Sequence, residues 1–192
     1  IIELIDMPYS EIIGNYCIGA EGKVQTVMLY SNCSLNEISS IALDYQSRTS
    51  VVLVKILAKN FWKIDVEFFG TDEDYIDGIS NNNAGLVIGD RTFNLKDTFL
   101  YQYDLAEEWF KYTNLPFVFA CWVANKPLSE EFKIQFNNAL KYGLNNMSTV
   151  VKQNTKNSNI DLYRYLCECI SWDFDSQKQA ALKKFFSLCS KL

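Results

Sequence analysis

The stretch Leu43 to Val51 is the part of this 192-residue chain best equipped to hold an anion. An apolar run ends at Leu43, a polar turn follows, and a second apolar run begins behind Ser47, Arg48, Thr49 and Ser50. The first amides of a helix have no partner within the helix and carry partial positive charge. A helix beginning near Thr49 would therefore add N–H donors to three hydroxyls and a guanidinium, which is a corner suited to a carboxylate or a phosphate. Capping of that helix by Ser47 or Thr49 explains the same residues more plainly, and both readings stay open on this stretch alone.

Three further stretches carry chemistry-bearing residues. Leu86 to Ile88 reads as a buried strand ending in Gly89 and Asp90, where glycine permits close backbone approach and the carboxylate could orient a hydroxyl or move a proton. A plain Asp90–Arg91 turn is the competing reading. Asp104, with Glu107 three residues on, has the spacing of a capping box, and the structural role is favoured there. Gly22 to Val27 is a glycine turn entering a strand on which Thr26 presents a hydroxyl.

Histidine is absent, which removes the usual general base near neutral pH and the commonest metal ligand. Carboxylates, hydroxyls, phenols, amides or the substrate itself must do the chemistry. No metal or organic cofactor is signalled. The six cysteines sit mostly in apolar runs and read as reduced, structural thiols; Cys167 and Cys169, one residue apart, would point to different faces of a helix.

The elements that must position these residues follow from hydrophobic periodicity. Strands are expected over 24–30, 41–43, within 61–69, over 84–88, around Tyr101 and Tyr103, and over 117–123. Helices are expected over 35–39, 49–60, just after Thr71, and over 105–112 with Asp104 as cap and Asn114-Leu115-Pro116 as breaker. After Pro127 the pattern is helical alone: one helix opening at Ser129, one over 160–170 and one over 176–191. The alternation up to about residue 125 indicates an α/β fold with a parallel-rich sheet, whose ligands bind at the carboxyl ends of strands.

Composition narrows the partners. Hydrophobic residues at 48% and charged residues at 21% make an ordinary globular chain with ample core. A formal charge of −5 with no basic patch argues against nucleic acid, so an anionic ligand must be caught by local donors. No membrane-spanning stretch is visible. Trp62 and Trp172, read as exposed, leave room for a homodimer.

Taken in order and at their spacing, Gly22–Val27, Ser47–Val51, Leu86–Asp90, Tyr103–Trp109 and Leu115–Ala120 resemble the chorismate dehydratase family. The resemblance covers residues 15–130 well and the C-terminal helices loosely. Asn114 and Ala106 stand where the family carries glycines, and Thr26 where relatives can carry a serine. The resemblance implies a cytoplasmic lyase on a two-lobed, periplasmic-binding-protein-like type II fold. One lobe would hold residues 33–116 and the other residues 1–32 with 117–192, with the strands near 24–30 and 117–123 as the hinge. It also implies an N-terminal segment with a Leu-Asn motif, which this sequence does not contain, so an N-terminal part is expected to be missing.

The implied reaction is dehydration of chorismate to 3-[(1-carboxyvinyl)oxy]benzoate, in menaquinone biosynthesis by the futalosine route. Ser47, Arg48, Thr49, Ser50 and Gly89 would bind the substrate, and Thr26 and Asp90 would stand at the reacting atoms. Asp90 is the best protein candidate for the base. The enolpyruvyl carboxylate of the substrate, close to C3, is the alternative and is preferred. A transporter's solute-binding protein for a small carboxylate shares the fold. So does 1,4-dihydroxy-6-naphthoate synthase, which usually carries a histidine-bearing segment near Ile88-Gly89-Asp90. A non-catalytic remnant is the third alternative.

Overall fold

The computed structural model describes residues 1–154 and 161–192. Among the described residues, eight strands form two sheets. The larger has the order β4-β3-β5-β2-β6, built from β2 (Val27–Ser31), β3 (Ser40–Leu43), β4 (Glu67–Gly70), β5 (Asn83–Ile88) and β6 (Tyr101–Asp104). The smaller has the order β7-β1-β8, from β1 (Glu11–Ala20), β7 (Phe117–Ala124) and β8 (Ser171–Asp173).

The larger sheet is mixed, which corrects the parallel-rich expectation. Only β3 pairs in parallel, with β4 and β5; β2 runs antiparallel to both β5 and β6, and the smaller sheet is antiparallel throughout. The physical reason lies in β2, which enters the larger sheet directly from β1 across the turn at residues 21–26, without a crossover helix. β2 hydrogen-bonds to β5 and β6.

Helix α1 (Thr49–Leu57) follows β3 and runs on as a π-type turn, Ala58–Trp62, that stops where Lys63 takes a left-handed conformation. Phe61 and Trp62 therefore belong to a helical end, not to the expected strand. Helix α2 (Leu105–Thr113) is capped by Asp104, whose carboxylate accepts from the Ala106 and Glu107 amides. It ends at Asn114 with φ of 55°. Asparagine tolerates that left-handed geometry better than most side chains, which explains how it serves where the family carries glycine.

The C-terminal part holds α3 (Glu130–Asn145), α4 (Met147–Asn154), α5 (Leu162–Arg164, continuing as a π-type turn Tyr165–Cys169) and α6 (Ser176–Cys189). Ile160, the expected start of the second of these helices, lies outside the described residues. Strands β1 and β8 and helix α4 were not legible in the sequence.

One buried cluster runs through both sheets. Leu29, Ile41, Leu53, Ile56, Leu57 and Leu86 lie under α1 and the larger sheet, and Trp109, Phe117 and Phe185 continue it toward α6. The Trp109–Phe117 and Phe117–Phe185 ring centroids are each 5.3 Å apart with edge-on geometry. Trp62 and Trp172 are half-buried and hydrogen bonded, to the Glu108 carboxylate and the Leu166 carbonyl. They are not the exposed aromatics from which a homodimer was inferred; the indole N–H groups tie them to their own chain.

Candidate active site

The turn after β3 is held from beneath by Asp44, which is 1% exposed. Its Oδ1 accepts from the Gln46 amide at 2.9 Å, and its Oδ2 from the Ile88 amide at 2.9 Å, the Tyr75 hydroxyl at 2.8 Å and Arg91 Nη2 at 2.5 Å. Burying a carboxylate removes its hydration, and hydrogen bonds of this kind replace it. The effect is to bind the Gln46–Ser50 turn to the end of β5, so that two loops from different strands share one frame. The Arg91 guanidinium also lies over the Tyr45 and Tyr75 rings, 5.4 and 5.9 Å from their centroids.

Above this frame, the two sheets leave between them a cavity of about 360 Å³, within the size range of small-molecule sites. Ser47, Arg48, Thr49, Ser50, Gly89 and Thr26 all line it. The β1 and β7 side is represented by Ile18 and Phe119, and the C-terminal part by Tyr165 and Ile170. Gly89 has φ of +71°, and a Cβ built there would meet no protein atom within 4 Å. The backbone is thus bare toward open space, held by the Gly89 amide donating to the Thr26 carbonyl at 2.8 Å.

The hydrogen bonds of Ser47–Ser50 divide between helix capping and contacts with the N-terminal residues. Ser47 Oγ accepts from the Ser50 amide at 3.0 Å, a helix-capping contact. Thr49 Oγ1 accepts from the amino group of Ile1 and the amide of Ile2, at 3.3 and 3.4 Å. Arg48 Nη1 holds the Glu3 carboxylate at 2.7 Å. The corner read as an anion trap thus already grips a carboxylate, through an exposed pair that solvent screens.

Thr26 is buried, and its hydroxyl lies 3.1 Å from the Tyr165 hydroxyl. The loop carrying Thr26 is fixed by Asp104 Oδ2, which accepts from the Gln25 amide at 2.7 Å while Oδ1 caps α2. Burial raises the Asp104 carboxyl above its ordinary value against the pull of these backbone N–H groups. The capping role read from the sequence is therefore joined by a second one, positioning Thr26.

Asp90 is exposed and stands beside the cavity, not in its wall. Its charge is felt by Tyr165. Sequence reasoning missed Asp44, Arg91 and Tyr165 as parts of this region. Asp44 directly follows a strand that ends at the candidate loop, a signal that was present. Tyr165 is separated from Thr26 by 139 positions and carried none.

Among the described residues, no group of three or more Cys, Asp or Glu is arranged to hold a metal ion, and no helix is long and apolar enough to cross a membrane.

A family described as menaquinone biosynthesis matches residues 7–191. A curated chorismate dehydratase of Thermus thermophilus is 24% identical over 182 residues, covering 85% of this chain and 66% of that protein. The match thus spans just under two thirds of that relative's length. The X-ray structure of an Archaeoglobus fulgidus protein superposes with a TM-score of 0.70 at 18% identity, covering 98% of this chain and 74% of that one. It supports the two-lobed α/β fold.

Proposed function

The chain belongs to the menaquinone-biosynthesis family, and from that premise we propose that it acts as a chorismate dehydratase, forming 3-[(1-carboxyvinyl)oxy]benzoate and water. The observation that carries the reading is the convergence of Thr26, Ser47–Ser50 and Gly89 on one cavity between the sheets. In this proposal the Arg48 guanidinium and the hydroxyls of Ser47, Thr49 and Ser50 receive a carboxylate of the substrate, which takes the place of the Glu3 carboxylate.

The C3 proton of chorismate is vinylogously activated by the ring carboxylate. Donors held on that carboxylate stabilise charge as it spreads there during elimination. The base in this reading is the enolpyruvyl carboxylate of the substrate. Asp90, exposed outside the wall of the cavity, is the weaker candidate. The protein then contributes orientation and electrostatics, and orientation alone can be worth several kcal/mol.

Incubating the protein with chorismate and following the aromatic product by absorbance and NMR tests the reaction. Release of 3-[(1-carboxyvinyl)oxy]benzoate is the expected result. Chorismate bound but unchanged would favour a solute-binding role. Asp90→Asn is expected to change kcat less than tenfold; a loss of several orders of magnitude with binding intact would make Asp90 the base.

A further inference from the structure

Elimination of water needs an acid as well as a base. The C4 oxygen would otherwise depart as hydroxide, one of the poorest leaving groups, and a positioned acid commonly contributes about 10²–10⁴ in rate. The substrate carboxylate that accepts the C3 proton cannot at the same moment supply one to C4. Among the described residues lining the cavity, only Glu3, Arg48 and Tyr165 have ionisable side chains. Glu3 and Arg48 lie on the exposed side, at the corner where the substrate carboxylate is received, away from Thr26. Tyr165 stands apart from that pair, against the edge of the Phe93 ring at 5.4 Å, with its hydroxyl 3.1 Å from Thr26 Oγ1.

Resting on the dehydratase reading, we propose that Tyr165 is the general acid of the reaction, delivering its phenolic proton to the departing C4 hydroxyl, with Thr26 fixing the direction of that proton. The step balances as follows. The C3–H bond breaks and its proton passes to the enolpyruvyl carboxylate. The electron pair left at C3, shared with the ring carboxylate, forms the C3–C4 double bond that completes the aromatic ring. The C4–O bond breaks, and that oxygen takes the Tyr165 proton and leaves as water. The Tyr165 phenolate then regains a proton from the carboxylic acid now on the product, so that enzyme and product carboxylate return to their starting charge.

The environment suits the task. Burial raises the phenol above its ordinary value; the hydrogen bond with Thr26 works in the opposite sense, and the Asp90 carboxylate and Cys169 add to the rise. Tyr165 therefore stays protonated throughout the neutral range, yet remains a far stronger acid than water. The geometry also assigns a reason for the hydroxyl at position 26: its oxygen can accept from Tyr165 in one orientation and donate to the phenolate in the other.

Steady-state turnover of chorismate and equilibrium binding of the product are measured for the wild type, Tyr165→Phe, and a protein carrying 3-fluorotyrosine at 165. The expected result is a wild type that turns chorismate over, with kcat in Tyr165→Phe lower by about 10²–10⁴ and product affinity within threefold. The wild-type kcat should fall at alkaline pH as Tyr165 ionises. The fluorinated phenol, nearly the same in shape and more acidic, should move that limb to lower pH. It keeps the test open if the phenylalanine variant does not fold. A fall below tenfold, an equal loss of product binding, or an unmoved alkaline limb overturns the assignment. Lack of any wild-type turnover overturns the dehydratase reading with it, which separates the two failures.

Discussion

Around the five-stranded sheet, Leu29, Ile41, Leu53, Leu57 and Leu86 are completely buried. Around the three-stranded sheet, Trp122 is 53% exposed and Tyr142 73% exposed, and an apolar cavity of about 580 Å³ is lined by residues of β1, β7, α3 and α4. The walls of that cavity include Cys17, Trp122, Leu140, Leu144 and Met147. The two regions differ in how tightly they are filled, and the candidate site sits where they meet. The dense side supplies the fixed donors at Ser47–Ser50 and the bare backbone at Gly89. The C-terminal part, past the looser region, supplies Tyr165. Rigid packing is where an oriented anion corner should be built, because misplacement of about 1 Å there is costly to catalysis.

Substitutions on the two sides test this contrast. The largest effect is expected for Trp109→Ala. Trp109 is fully buried, packs on Phe117 and Phe185, and donates to the Pro116 carbonyl at 3.0 Å. A loss of about 3–5 kcal/mol is expected in denaturant unfolding. Asp44→Ala comes next. It removes the acceptor of four hydrogen bonds, and because its Arg91 partner is 28% exposed a loss of about 2–3 kcal/mol is expected rather than the cost of a wholly buried pair. The same variant should lower kcat/KM by loosening the turn at Gln46–Ser50, which steady-state kinetics would register.

A pair of glycines gives the sharpest comparison with the smallest effects. A Cβ at Gly85, in β5, runs into the Cδ1 and Cγ1 atoms of buried Ile79. Gly85→Ala should cost about 1–3 kcal/mol. A Cβ at Gly143, in α3 beside the apolar cavity, meets nothing within 4 Å. Gly143→Ala should stabilise by about 0.5–1 kcal/mol through helix propensity. Shifts of the same sign in thermal unfolding would mean that the two regions are packed alike.

Legibility along the chain followed the same division. In the larger sheet, the apolar runs at Ile41–Leu43 and Ala84–Ile88 and the cap at Asp104 announced their elements, because continuous burial and capping chemistry are local. The strand β1 was missed because its ten residues, Glu11–Ala20, mix glycines, polar residues and a bulged register, with no clean alternation. Trp62 read as exposed because its contact with Glu108 spans 46 positions. The candidate site divides likewise: Thr26, Ser47–Ser50 and Gly89 were readable as strand ends and turns, whereas Asp44 passed as an ordinary turn residue.

By itself, the amino-acid sequence determined the α/β character, the segments that end strands with hydroxyls and glycine, and the family to which their order belongs. Those properties depend on residues near one another along the chain. Tertiary structure alone decided that β2 joins the larger sheet against β5 and β6, that Asp44 ties two loops together through Ile88 and Arg91, and that Tyr165 meets Thr26 across 139 positions. Contacts of that kind come from burying distant surfaces against each other, and no local spacing encodes which phenol will arrive beside which hydroxyl.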